Sequence, residues 1–146
     1  MKATVQILIC IFLVSCEIKS DRITSTTDLK LLVSDFNVEL QQAKLETVCN
    51  KSGLQRVEEF LESKSEAEQQ QYVLKVGAYL GNCIIESYGG EWIEYEPGIW
   101  GIKLSEKNFV FPIGKVQKFV DDPTGDSFSS FYAMIPIVFK LDIKKP

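Results

Sequence analysis

The chain has 146 residues, of which 45% are hydrophobic and 11% aromatic, enough for the core of one globular domain. Its net charge is −4 and lysines and arginines form no cluster, which argues against nucleic acid as a partner, because binding phosphates needs a basic surface. It contains no histidine, which excludes the commonest general base, the commonest zinc ligand and all Ser-His or Cys-His nucleophiles.

Residues 1–15 have the features of a signal peptide. Lys2 gives a positive start, and the apolar run over residues 7–14 is too short to span a bilayer as a stable helix. The run ends in Leu13-Val14-Ser15-Cys16, which resembles the lipobox of bacterial lipoproteins. The resemblance implies cleavage before Cys16 and lipid on that cysteine, which would anchor the protein in the bacterial envelope. The alternative is an ordinary secretory signal that leaves Cys16 without lipid.

Residues 16–33 begin with a polar stretch that buries little apolar surface, so they are predicted to form a flexible tether to a domain over residues 34–146. Because residues 1–15 contain one cation, Lys2, and no acid, the mature chain has a net charge of −5. Glu17 follows the cysteine, where inner-membrane lipoproteins typically have aspartate. In a Gram-negative host the resemblance therefore implies the outer membrane.

Three helices are predicted in the first half of the domain. The first should begin at Ser34-Asp35 and end at residues 50–53, and a short second helix should cover residues 54–61. Ser65, with Glu68 three residues later, forms a capping box for the third helix.

The third helix, near residues 67–88, is apolar over most of its circumference, which is typical of a helix buried on more than one side. Gly77 and Gly81 lie one turn apart on this helix and carry no side chains. Since glycine costs about 1 kcal/mol against alanine in a helix, we expect close packing of another element there.

After Gly89-Gly90 the apolar period changes to two, which predicts strands near residues 92–95, 100–104 and 109–111. Tight turns between them favour an antiparallel meander packed on the long helix. Short helices are predicted near residues 113–120 and from residue 128. Residues 137–139 would form an extra strand or a packed tail. The expected fold class is α+β.

Residues 54–132 resemble a group of small bacterial α+β domains of uncharacterised function. Such domains occur alone and in settings that suggest immunity to a toxin, so the resemblance implies the fold and an interaction role. The residues that carry it are Gly77 with Tyr79-Leu80-Gly81, Gly89-Gly90-Glu91-Trp92, Phe111-Pro112 with Val116 and Lys118, and Asp126-Ser127-Phe128 with Phe131-Tyr132.

Two cysteines, Cys49 and Cys83, remain in the predicted domain. An even pair in an exported protein is compatible with one disulfide, and buried cysteines also occur as small free hydrophobic residues. The sequence leaves both alternatives open, and it predicts that neither thiol is catalytic.

Acidic residues are the remaining candidates for chemistry. Glu91, Glu94 and Glu96 could act on a glycan as paired carboxylates, but their alternation with apolar residues is typical of the solvated face of a half-buried strand. Asp121 and Asp122 lie in a turn and lack the spacing of a calcium loop. We expect no metal, no cofactor and no enzymatic activity.

The sequence therefore predicts a lipid-anchored envelope protein that binds another protein, with toxin immunity as one version. An envelope hydrolase acting on a glycan and a structural or assembly lipoprotein are the alternatives. For the partner-binding residues, we expect an aromatic anchor, Trp92 or Tyr95, beside the cations Lys115 and Lys118. The competing interpretation is that these four residues are packing and solvated surface.

Overall fold

The computed structural model describes residues 22–141, and this part of the chain has five helices and one three-stranded antiparallel sheet. The predicted α+β class is confirmed, with helices before and after the meander. The elements are α1 Thr26–Gln42, α2 Lys51–Glu62, α3 Glu66–Tyr88, β1 Glu91–Glu96, β2 Ile99–Ser105, β3 Asn108–Val110, α4 Pro112–Asp121 and α5 Phe128–Val138.

Helix α1 begins at Thr26, so the prediction of a start at Ser34-Asp35 is wrong. The Ser25 hydroxyl accepts a hydrogen bond from the Asp28 N–H, and the Asp28 carboxylate accepts one from the Ser25 N–H. This capping box starts the helix inside the polar stretch, and Leu29 in the first turns is buried. The predicted tether over residues 16–33 is therefore wrong from Thr26 onward, while residues 16–21 lie outside the described residues.

The end of α1 also differs from the prediction. The helix stops at Gln42, and residue Lys44 adopts a positive φ of 55° that turns the chain. Asn50, expected at the stop, instead begins α2, because its side-chain oxygen accepts from the Gly53 N–H at 2.8 Å. Asparagine is common at both ends of helices, so the residue type alone did not show whether Asn50 ends α1 or caps the start of α2.

Helix α3 is the centre of the fold, as predicted. Its N-terminus has the expected capping box, in which the Glu68 carboxylate accepts from the Ser65 N–H at 2.9 Å. A Cβ on Gly77 would lie 2.6 Å from the Ile113 Cα, and one on Gly81 would lie 2.0 Å from the Trp92 ring. Both glycines therefore permit the close approach that was expected of them.

The sheet has the order β1-β2-β3 and confirms the predicted meander. Trp92 and Val110 both pair with Ile102 across the strands, which places these three side chains on the face that meets α3. The register shifts between Glu94 and Glu96, so Tyr95 stands at a bulge.

Helices α4 and α5 close the fold. Ser127 caps α5 by accepting from the Ser130 N–H at 3.1 Å. Residues 137–139 continue α5 and its C-cap instead of forming an extra strand, because the Phe139 N–H donates to the Ile135 carbonyl at 3.0 Å. Pro136 has no N–H to donate to the Tyr132 carbonyl, and this carbonyl instead accepts a hydrogen bond from the Tyr88 hydroxyl at 3.2 Å.

Cys49 and Cys83 form a disulfide in this structure, with their Cα atoms 4.9 Å apart. It ties the loop before α2 to the C-terminal half of α3. The Tyr132 hydroxyl donates to the Cys49 carbonyl at 2.9 Å, which connects α5 to the same place. Of the two alternatives that the sequence left open, the structure has the bridged one.

Candidate interaction surface

The two faces of the sheet have different surroundings. Trp100 and Ile102 lie on the inner face and are 9% and 0% exposed, because they pack against the helices. Tyr95 and Phe111 belong to the outer face and are 50% and 37% exposed. The outer face is therefore where large apolar side chains of the sheet meet solvent.

Three rings on this outer face form what we call the aromatic layer: Tyr95, Phe109 and Phe111. The Tyr95 ring centroid lies 5.4 Å from that of Phe109 and 5.3 Å from that of Phe111, both in edge-to-face geometry. Gly101 lies beneath, and a Cβ there would be 2.9 Å from Cε1 of Phe111. The missing side chain of Gly101 lets the Phe111 ring lie across the central strand.

The rim of the aromatic layer is acidic. Glu91 and Glu96 on β1 are exposed and lie opposite Lys103 and Ile99 on the outer face, whereas Glu94 lies opposite Trp100 and belongs to the other face. The cation on β2, Lys103, pairs with Glu106 at 2.8 Å, and this hydrogen bond raises the pKa of Lys103. The rim thus offers carboxylates to a partner, since its lysine is already paired.

The predicted combination of an aromatic anchor with two cations is only partly present. Trp92 is half-buried on the inner face against Gly81, so it does not join Tyr95. The Lys115 ammonium pairs with Asp126 and lies 5.8 Å from the Phe131 centroid, so it faces α5. Tyr95 and Lys118 are exposed. Of the two aromatic candidates, Tyr95 is the exposed one.

Phe109 and Phe111 were missed as surface residues because most aromatic residues of a small domain lie in its core. The signal that could have identified them is the alternation along β3. Val110 points inward beside Ile102, so its two neighbours must point outward. Gly101 on the adjacent strand is the second signal, because it leaves space for a ring.

The candidate carboxylates of β1 do not all lie on one face of the sheet. Glu91 lies opposite Lys103 and Glu94 opposite Trp100, so the sheet places these two carboxylates on different faces. Asp122 instead shapes a turn, since a hydrogen bond from the Thr124 hydroxyl at 2.7 Å lowers the pKa of its carboxylate. Between residues 22 and 141 no three His, Cys, Asp or Glu side chains are arranged to hold a metal ion.

Cys16 lies outside the described residues, which begin at Arg22. Ile23 is buried, and its carbonyl accepts a hydrogen bond from the Trp100 indole N–H at 3.3 Å. This hydrogen bond fixes the N-terminal end of the described residues, which we call the entry point, to the central strand of the sheet.

No protein-family model, no curated protein and no solved structure matches this chain. Within the described part of the chain, none of the helices combines the length and the apolar character needed to cross a bilayer.

Proposed function

We propose that the mature protein is a lipid-anchored envelope protein that acts by binding another protein rather than by catalysis. The resemblance of Leu13-Val14-Ser15-Cys16 to a lipobox supports the anchor, and the absence of histidine supports a non-catalytic role. In a Gram-negative host, Glu17 favours the outer membrane. The observation that carries the binding role is the aromatic layer, whose Tyr95 is half exposed on the sheet.

Exposed tyrosine and phenylalanine rings are well suited to a protein interface. They bury a large area at little entropic cost, and such residues form many interface hot spots. The carboxylates of Glu91 and Glu96 lie on the same face as the rings, so the partner should present an apolar patch bordered by lysine or arginine. A toxin with a basic surface, held inactive by this protein, is one concrete version.

The binding role is tested first by capturing the partner from envelope extracts, with the purified Cys16→Ser protein as bait. Once that partner is purified, Tyr95→Ala should weaken its affinity by about tenfold or more, as expected when a hot-spot ring is lost. The matched control is Val38→Ala on α1. Val38 is 49% exposed, similar to Tyr95 at 50%, and it is far from the sheet in the sequence. Equal affinity for wild type and Tyr95→Ala would contradict the proposed surface.

The anchor is tested separately by metabolic labelling with palmitate. The wild-type protein should incorporate label and sediment with membranes, and Cys16→Ser should do neither, because several acyl chains are needed for firm membrane attachment. Labelling that survives Cys16→Ser would contradict the assignment.

A further inference from the structure

We infer that the domain rests on the lipid surface in one orientation, with the side around its N-terminal entry point against the bilayer. This inference rests on the proposed lipid anchor at Cys16. It goes further by assigning a membrane-contacting surface to residues of the folded domain.

The entry point is a fixed part of the fold. Ile23 is only 9% exposed and packs in a cluster with Leu29, Ala78 and Trp100. The hydrogen bond from the Trp100 indole to the Ile23 carbonyl spans 77 residues of sequence. Arg22, immediately before it, is exposed, so the described residues begin at the surface of the domain.

The distance available between lipid and domain is short. Cys16 and Arg22 are separated by six Cα–Cα steps, which together reach about 20 Å when fully extended. A domain of this size has a radius of gyration of about 14 Å and is therefore roughly 35 Å across. Such a connection cannot pass around the domain, so the side that carries Arg22 must stay near the bilayer.

That side carries apolar surface on both flanks of Arg22. On one flank a groove of about 600 Å³ is lined by Ile23, Leu74, Ile99, Trp100, Phe111 and Ile113. On the other flank a smaller groove of about 180 Å³ is lined by Leu31 and Leu32 together with the carboxylates of Asp28 and Asp35, which would remain at the level of the polar headgroups. Arg22 lines both grooves.

The most exposed apolar residues of these grooves are Leu31 at 58%, Ile99 at 46% and Phe111 at 37%. We call these three residues the entry face. Aliphatic and aromatic side chains with an adjacent cation are the composition that the interfacial region of a bilayer accepts. Tyr95, whose ring lies 5.3 Å from that of Phe111, has the amphipathic side chain that favours the membrane–water boundary.

The entry face adjoins the aromatic layer, because Phe111 belongs to both. A partner that contacts Tyr95 and Phe109 would consequently bind beside the bilayer. This placement favours a partner that is itself in or on the membrane.

The orientation is tested with the full-length lipidated protein reconstituted into vesicles of phosphatidylethanolamine and phosphatidylglycerol, with or without bromine on the acyl chains. Bromine quenches tryptophan at short range, and Trp100 lines the groove of the entry face. We expect tryptophan emission to be lower in brominated than in plain vesicles. Ile99→Asp and Leu31→Asp should each reduce the quenching of tryptophan emission by bromine, while the protein still floats with the vesicles.

The matched control is Val48→Asp, which places a charge at a residue that is 66% exposed in the loop between α1 and α2. It should leave the quenching unchanged. Ile99→Ser serves as a second variant if near-ultraviolet circular dichroism shows that Ile99→Asp does not fold.

The outcomes separate this inference from the anchor on which it rests. Protein that floats but is equally bright in both kinds of vesicle overturns the orientation and leaves the anchor standing. The same result is expected if the groove holds residues 17–21 or a partner instead of facing lipid. Protein that does not float overturns the anchor and the orientation together.

Discussion

The carboxylate of Glu58 on α2 accepts hydrogen bonds from both the N–H and the hydroxyl of Ser129 in the first turn of α5, each at 2.8 Å. The Ser127 hydroxyl donates to the same carboxylate at 2.9 Å. N–H groups in the first turn of a helix lack partners within it and favour negative charge. A side chain of one helix therefore caps another helix 71 residues away in sequence.

Replacing this carboxylate should destabilise the fold. Glu58→Gln keeps the shape of the side chain but loses the charge, so we expect the free energy of unfolding to fall by about 2 kcal/mol, as for lost hydrogen bonds to a buried charged group. The measurement is urea denaturation followed by circular dichroism. The control is Glu59→Gln on the exposed side of the same helix, and equal midpoints for both variants would contradict the role of Glu58.

Replacement of glycine by alanine should have opposite effects on stability at Gly81, which contacts the Trp92 ring, and at Gly114, which has free space around it. Gly81→Ala should lower the free energy of unfolding by about 1–3 kcal/mol, because overpacking outweighs the gain in helix propensity. Gly114→Ala on α4 should raise it by up to about 1 kcal/mol, since the nearest atom to a new Cβ there is 3.9 Å away.

Thermal unfolding of both glycine variants checks this pair of predictions. Near-ultraviolet circular dichroism should also report the displaced Trp92 ring in Gly81→Ala only. Destabilisation of equal size at both positions would contradict the prediction that the contact between Gly81 and Trp92 excludes a larger side chain.

Removing the disulfide should lower stability by about 4 kcal/mol, the value that the chain-entropy model gives for a loop of this length. The bridge joins residues separated by 34 positions. The double variant Cys49→Ala with Cys83→Ala and the reduced wild-type protein should have similar denaturation midpoints, which separates the loss of the bridge from any cavity. Rapid alkylation of either cysteine in the native, unreduced protein would contradict the bridge.

The ion pair between Glu39 on α1 and Lys75 on α3, at 2.6 Å, predicts part of the acid sensitivity. Partial burial raises the pKa of Glu39, but hydrogen bonds with Lys75 and Tyr72 outweigh this and hold the pKa below its ordinary value of 4.5. Because the pKa is lowered in the fold, this stabilisation is present above pH 4.5 and is lost as the pH falls through the lowered value.

Glu39→Gln should therefore flatten the decline of stability below pH 4.5, while changing stability at neutral pH by about 1 kcal/mol or less. Denaturation midpoints across this range give the measurement. Glu62→Gln, at the exposed end of α2, is the control. A decline of unchanged steepness in Glu39→Gln would assign the acid sensitivity to other groups.

Local signals in the sequence predicted the elements whose determinants are local. The Ser65–Glu68 capping box and the apolar circumference of α3 both lie within one segment, and the change of apolar period after Gly89-Gly90 marked the sheet. The start of α1 was missed although Ser25 and Asp28 have the same capping-box spacing. The surrounding threonines and charges concealed it, because they lower the mean hydropathy of the segment.

The candidate surface was harder to predict because it depends on contacts between distant segments. Tyr95 was predicted as one of two possible aromatic anchors, but its partners Phe109 and Phe111 are brought to it by the meander. Lys115 has the composition of a binding residue, yet Asp126 from the following loop engages it. Pairings of this kind become visible only when the register and the loop conformations are known.

The cluster around Ile23 determines how the protein should be produced for experiments. A recombinant fragment that starts at residue 34, where the sequence placed the domain, would lack both Ile23 and Leu29. Ala78 and Trp100 would then lose the apolar cover that makes them 0% and 9% exposed. Such a fragment should expose apolar surface and therefore aggregate when it is concentrated. A fragment that starts at Arg22 retains the complete cluster.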